Sequence, residues 1–129
     1  MPSIARAAAL LTPLASGVTA AATVSSTVTG AAVDCDGMAG SVIFTQQVGT
    51  VGGTTPTLDG KVQESADGST GWTDVAGATA TTVSASTSNQ NIVVDRSATK
   101  RFLRYIGTIA GTSPTFALQV TCNAFKAYR

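Results

Sequence analysis

The stretch from Leu58 to Val75 constrains this chain more than any other. Leu58-Asp59-Gly60-Lys61-Val62-Gln63-Glu64-Ser65 reads as a strand. Ala66-Asp67-Gly68-Ser69-Thr70-Gly71 reads as a glycine-rich turn, and Trp72-Thr73-Asp74-Val75 as the returning strand. Asp-Gly between two alternating runs is a strong local hairpin signal. A hairpin leaves one apolar face to cover, so further strands must pack against it. The sequence supplies them: a Val/Thr/Ala run over 18–33, then Ser41 to Val48, with Val42, Phe44 and Gln46 on one face and Ile43, Thr45 and Gln47 on the other. Thr79 to Ala85, Ile92 to Val94, Arg101 to Ile109 and Phe116 to Cys122 follow. Gly49 to Pro56 is expected to be a loop, Ser86 to Gln90 a polar turn, and Gly111-Thr112-Ser113-Pro114 a turn that sends the chain back. Strands at short, regular spacing with turn signals between them describe an all-β antiparallel β-sandwich, jelly-roll-like or Ig-like, of about eight strands. No internal repeat is expected.

Thr, Ala, Gly and Ser make up about half of the chain, so the core is built from Val, Ile and Leu with few aromatics. Charged residues are 12% of the chain, against roughly 25% in ordinary soluble domains. Such an exterior suits a protein covered by neighbours. The net charge is +1 and no basic cluster is present, which argues against nucleic acid as a partner. The densest basic stretch, Lys100, Arg101 and Arg104, is split between two faces by strand alternation.

The chain has no His, the commonest general base and transition-metal ligand. Of the seven acidic residues, Asp34, Asp36, Asp67 and Asp74 sit in or beside turns, where carboxylates satisfy backbone donors. Their spacing does not suggest the facing acid–base pair of a glycosidase. Lys61, Lys100 and Lys126 lack a Ser-x-x-Lys setting. Asp34-Cys35-Asp36-Gly37 has too few oxygen ligands for a calcium loop. No catalytic residue, metal site or cofactor is expected. Cys35 and Cys122 lie outside any zinc spacing. They read either as buried free thiols or as a bridge tying the first strand region to the last. Trp72 either covers one edge of the core or stacks on a sugar ring. Ser65, Asp67, Gly68 and Trp72 resemble a short string found in discoidin-type and other carbohydrate-binding sandwiches.

Residues 1–17 differ from the rest and are expected to form an arm, with the sandwich over 18–125 and a short tail at 126–129. A signal peptide is disfavoured because Pro13 interrupts a short apolar run. No span reaches the roughly 20 apolar residues of a membrane helix. Ser3 could cap a short helix with Ile4, Ala8 and Leu11 on one face. So short a helix is unstable alone in water. Docking is therefore expected through Ile4, Leu10, Leu11 and Leu14, with Tyr128 from the other end, on another subunit.

Over residues 30–122 the chain resembles small virion proteins of tailed bacteriophages. The likeness runs through Asp59-Gly60-Lys61-Val62-Gln63-Glu64-Ser65-Ala66-Asp67-Gly68 and Gly71-Trp72-Thr73-Asp74-Val75-Ala76-Gly77. It resumes in Thr99-Lys100-Arg101-Phe102-Leu103-Arg104-Tyr105 and Gly111-Thr112-Ser113-Pro114-Thr115-Phe116. It is similar to head-associated proteins of the decoration or cement type. That resemblance implies a non-enzymatic protein made in the host bacterial cytoplasm and bound to the major capsid protein on the outside of the virion. It also implies homotrimers at local threefold axes. A tail or head–tail joining component is the alternative within the class. A carbohydrate-binding sandwich that aids adhesion, with a glycan as partner, is the alternative outside it.

Overall fold

A computed structural model of the protein describes the backbone of residues 11–126 and the side chains of residues 23–124. Runs of β-branched residues between glycine-rich turns give the strands β1 (Leu11–Val24), β2 (Val28–Thr29), β3 (Val33–Asp34), β4 (Met38–Ser65), β5 (Thr73–Thr79), β6 (Ser88–Asp95) and β7 (Phe102–Lys126). The only helical piece among the described residues is a 3-10 turn, Arg96–Ala98, capped by the Asp95 carboxylate. All seven strands belong to one antiparallel sheet of order β1-β7-β4-β5, with β2 and β3 also on β7 and β6 also on β4.

The sheet closes on itself as a sandwich because its two central strands run through both layers. In layer I, the first part of β4 pairs with β6 and with the end of β7, and β1 lies outside β7. In layer II, the end of β4 pairs with β5 and with the start of β7, and β2 and β3 lie outside β7. Alternate residues face inward: Val42, Phe44, Gln46 and Val48 from layer I meet Leu58, Val62, Leu103 and Tyr105 from layer II in one buried cluster. Each fully buried Leu or Phe contributes roughly 1.5–3 kcal/mol over its exposed state. The faces expected from alternation hold for Ser41 to Val48, and Leu103, Tyr105, Phe116, Leu118 and Val120 are all buried.

An expected loop and an expected reversal are both bends instead. The residues 49–56 stay inside β4, and Gly111 to Pro114 stay inside β7. Gly53 (φ 98°) and Thr55 (φ 46°) bend β4 at the same level as Gly111 (φ 120°) and Ser113 (φ 49°) bend β7. Left-handed φ values let a strand change direction without leaving the ladder, here at a run of register shifts. The two corners pack reciprocally. A Cβ on Gly111 would lie 2.7 Å from the Thr55 carbonyl oxygen, and one on Gly53 would lie 2.8 Å from Pro114 Cα.

This reciprocity exposes an internal repeat that the sequence reading missed. Val48-Gly49-Thr50-Val51-Gly52-Gly53-Thr54-Thr55-Pro56-Thr57-Leu58 matches Ile106-Gly107-Thr108-Ile109-Ala110-Gly111-Thr112-Ser113-Pro114-Thr115-Phe116 position by position. The pairing has the same symmetry: Val51 faces Phe116 as Ile109 faces Leu58, and Gly52 faces Thr115 as Ala110 faces Thr57. The flanking strands correspond too. β5 lies on β4 as β1 lies on β7, and β6 lies on β4 as β2 and β3 lie on β7. The sandwich is a pseudo-twofold pair of units, β4 with β5 and β6, and β7 with β1 and the short β2 and β3.

Other boundaries also need correction. The strand expected over Thr79 to Ala85 reduces to the end of β5 and an isolated bridge from Leu58 to Val83. β6 begins at Ser88, inside the expected polar turn, because Ser88 and Asn89 pair with Val48 and Gln47. The arm boundary at residue 17 does not stand: Leu11–Val24 is a strand paired with β7. Pro13 is tolerated there because β1 is an edge strand, where a missing N–H costs no ladder bond. The helix expected from Ser3 falls mainly on residues 1–10, outside the described residues. The tail boundary shifts as well, since β7 continues to Lys126.

Candidate functional site

The two outward faces of the sandwich have opposite chemistry. On layer II, β4 and β7 set Gln63 opposite Arg104, and β5 adds Asp74 beside Gln63. Arg104 donates through Nε and Nη2 to Gln63 Oε1 at 3.0 and 2.8 Å. Gln63 Nε2 in turn donates to Asp74 at 2.9 Å, and Lys61 Nζ lies 3.1 Å from the same carboxylate. The Asp74 pKa is lowered, first by the Gln63 amide and then by the Lys61 ammonium. Trp72 is half-buried at the edge of this network, and the Arg104 guanidinium sits 4.3 Å from its ring centroid. That cation–π contact occupies one ring face and leaves at most the other for a stacking partner.

The turn joining β4 to β5 explains three residues of the carbohydrate-like string, Ser65, Asp67 and Gly68, without a ligand. The Asp67 carboxylate accepts from the backbone N–H groups of Ser69 (2.9 Å) and Thr70 (2.8 Å) and from the Thr70 hydroxyl (2.8 Å). These donors, Thr70 N–H foremost, hold its pKa far below the usual carboxylate range. Ser65 Oγ is buried, donates to the Thr70 carbonyl at 2.5 Å and accepts from Gly68 N–H at 3.1 Å. Gly68 packs under the Phe102 ring, where a Cβ would come within 2.9 Å.

A second charged cluster joins β3 to the chain entering β7. Arg101 forms a bidentate pair with Asp34, both contacts at 2.8 Å, and lies over Phe102 at 5.0 Å. The guanidinium holds the Asp34 carboxyl down at about 2. Both groups are about half exposed, so the pair contributes little to stability.

On layer I the outward residues form three rows across the strands: Val93, Ile43 and Asn123; Asn91, Thr45 and Thr121; Asn89, Gln47 and Gln119. None of these is charged. Thr45 Oγ1 donates to Asn91 Oδ1 at 2.9 Å. Asp95 at the end of β6 is turned to the 3-10 turn, where it accepts from Ser97. A shallow cavity of about 430 Å³ lies at the end of this face, over Val48, Ala117 and Leu118.

Cys35 and Cys122 are both buried and both free. They lie in one apolar cluster, and burial pushes their thiols up to about 11 and about 12. Thiols held that far above neutrality are poor nucleophiles. Among the described residues, no group of three or more His, Cys, Asp or Glu side chains converges on a common point. Of the residues expected to bind a partner, Leu11 and Leu14 lie on β1, while Ile4, Leu10 and Tyr128 are outside the described residues. The uncharged rows of layer I escaped the sequence reading, although the alternation of Gln47, Gln119 and Thr121 with buried neighbours carried them. No family model matches the chain, and no curated protein or solved structure is found to be similar to it.

Proposed function

We propose that this protein is a non-enzymatic structural component of a tailed-phage virion, of the decoration or cement type, attached to the outside of the head through the major capsid protein. The observation that supports this reading most is the outer face of layer I, three rows of Asn, Gln, Thr, Ile and Val with no charge among them. A solitary soluble domain ordinarily spreads mixed charge over such a face. Uncharged amides and hydroxyls suit a surface that meets a partner without stranding ions on contact. The resemblance of residues 59–68, 71–77, 99–105 and 111–116 to head-associated proteins agrees with that use. On layer II, the Arg104 contact that occupies one face of Trp72 makes a sugar platform the weaker reading.

Particles of the phage encoding the chain provide the test. Mass spectrometry of purified virions should detect it, and an antibody against it should label heads. The double substitution Thr45→Lys with Gln119→Glu, on exposed or half-exposed side chains, should reduce occupancy on heads while the protein stays folded. Absence from virions, or labelling confined to tails, would refute the assignment.

A further inference from the structure

The outer strands of the sandwich differ in how well their free edges are protected. β1 carries Pro13 and three register shifts against β7. β5 is kinked by a register shift opposite Lys61 and Gln63 and carries Gly77 at φ 75°. β2 and β3 are two residues each, and the Asp34–Arg101 pair guards their end. Short strands, proline, bulges and charges are the usual devices that stop an edge from recruiting another strand. β6 has none of them apart from Asp95 at its last residue. It pairs with β4 over eight consecutive residues without a shift, from Ser41–Asp95 to Val48–Ser88. Its sequence, Ser88-Asn89-Gln90-Asn91-Ile92-Val93-Val94-Asp95, contains no Lys, Arg or Pro and a single charge at one end. The pseudo-symmetry sharpens the contrast, since the matching edge in the other unit is broken into β2 and β3.

Two observations place the open part of this edge. The Gln90 side chain bonds the backbone of Thr81 at 2.7 and 2.9 Å, so the chain after β5 lies beside the start of β6. From Asn91 to Val94, no backbone bond among the described residues goes anywhere but to β4. Within that open stretch stands Val93, 57% exposed, the one large hydrophobic side chain exposed among the described residues.

We propose that the edge from Asn91 to Asp95 is an interaction surface that pairs antiparallel with the same edge of a second copy of this chain. A twofold axis through Val93 keeps like faces together, because antiparallel partners share a face only when the axis passes through a residue. That register lays Val93 on Val93, covering the exposed side chain, and Ile92 on Val94. It also brings the Asn91 amide to the Asp95 carboxylate of the second copy, and sets no like charges opposite one another. Backbone bonds supply the affinity, as in other strand additions. So small a contact is weak, and its effect grows where many copies are held side by side. The pairing is two by two, so on a shell it links neighbouring assemblies rather than building a threefold one. It does not depend on which surface the protein decorates.

The full chain in solution tests this without capsids. Sedimentation equilibrium from about 10 µM to about 1 mM should show a monomer–dimer equilibrium. Hydrogen exchange should show protection of alternate amides between Asn91 and Asp95 that rises with concentration. Val93→Lys, at an exposed position, should weaken association at least about tenfold, and Val93→Ile should preserve it. A chain monomeric throughout that range would overturn the proposal. So would association indifferent to Val93→Lys. Amides protected equally at every concentration would mean that the chain's own residues cover the edge, and would overturn it too.

Discussion

Gln46 and Tyr105 are fully buried, one in each layer, and stand opposite Val120 and Val62, which correspond across the two pseudo-symmetric units. Tyr105 Oη donates to Gln46 Oε1 at 2.5 Å, while Gln46 Nε2 has no partner. Room for the pair comes from Gly60 and Gly107, which face each other across the central strands; a Cβ on Gly60 would collide with the Gln46 amide oxygen and lie 2.9 Å from the Tyr105 hydroxyl. Tyr105→Phe removes the donor and leaves Oε1 buried and unsatisfied beside an already orphaned Nε2. That should cost about 1–3 kcal/mol. Gln46→Met strands the Tyr105 hydroxyl but also removes the orphan, so its cost should be the smaller of the two. The double variant buries no unpaired polar atom at this point and should be near neutral or more stable than the parent. Urea unfolding is the assay, read as a midpoint shift at constant slope; with a slope of roughly 2 kcal/mol/M, a 2 kcal/mol loss moves the midpoint by about 1 M. The diagnostic quantity is the coupling, at least about 1 kcal/mol in favour of the double variant. Single losses that simply add would refute the view that this pair is held by mutual satisfaction rather than by packing.

Leu118→Ala should cost about 2–5 kcal/mol by calorimetry, because the side chain is only 2% exposed in the core; a loss below about 1 kcal/mol would mean that its register is inverted. With thiols at about 11 and about 12, neither Cys35 nor Cys122 should react with a thiol reagent at pH 8 until the chain unfolds, and reductant should leave the melting temperature unchanged. Fast labelling of the native protein, or a melting point that falls on reduction, would contradict the burial of free thiols. Asp34 titrates at about 2 rather than its ordinary 3.8, so the stability from its pairing is present above the ordinary carboxylate range and is lost as pH falls from about 4 through about 2. Arg101→Ala should move the Asp34 titration upward in a carboxyl NMR experiment, and an unmoved titration would exclude Arg101 as the main cause.

Local rules carried far along this chain wherever a short segment settles its own geometry. The hairpin at Ser65 to Trp72 was legible because Asp67 and Gly68 form the turn from within the turn itself. The inward faces around Phe44 and Leu118 were legible because a half-buried strand shows period two. The corners at 49–56 and 111–114 were not, because Gly and Pro mark both a reversal and a bend. What separates the two is the opposite strand: each corner stays in the ladder only because the other bends beside it. The first half of β1, Leu11 to Gly17, was missed for a similar reason, since Pro13 argues against a central strand and says nothing against an edge. The uncharged face of layer I was hidden because its residues come from β4, β6 and β7, and become neighbours only through pairing.

The repeat explains why so small a core suffices. Each layer has one apolar face and cannot bury it alone, which is the usual limit on small β structures. Joining the two layers through β4 and β7 solves this without a linker, because each long strand gives one half to each layer. The layers therefore cannot slide apart unless the corner ladder at Thr54–Thr112 opens. A Cβ at Gly53 or Gly111 would strike backbone atoms of the other corner, and no side-chain rotation relieves that clash. Gly111→Ala carries a second penalty, since its φ of 120° is strained for any L side chain. The two corner glycines thus act as one element, and the damage from changing both should be less than the sum of the single effects. Each substitution opens the same ladder, and a corner already opened by one leaves less for the other to break.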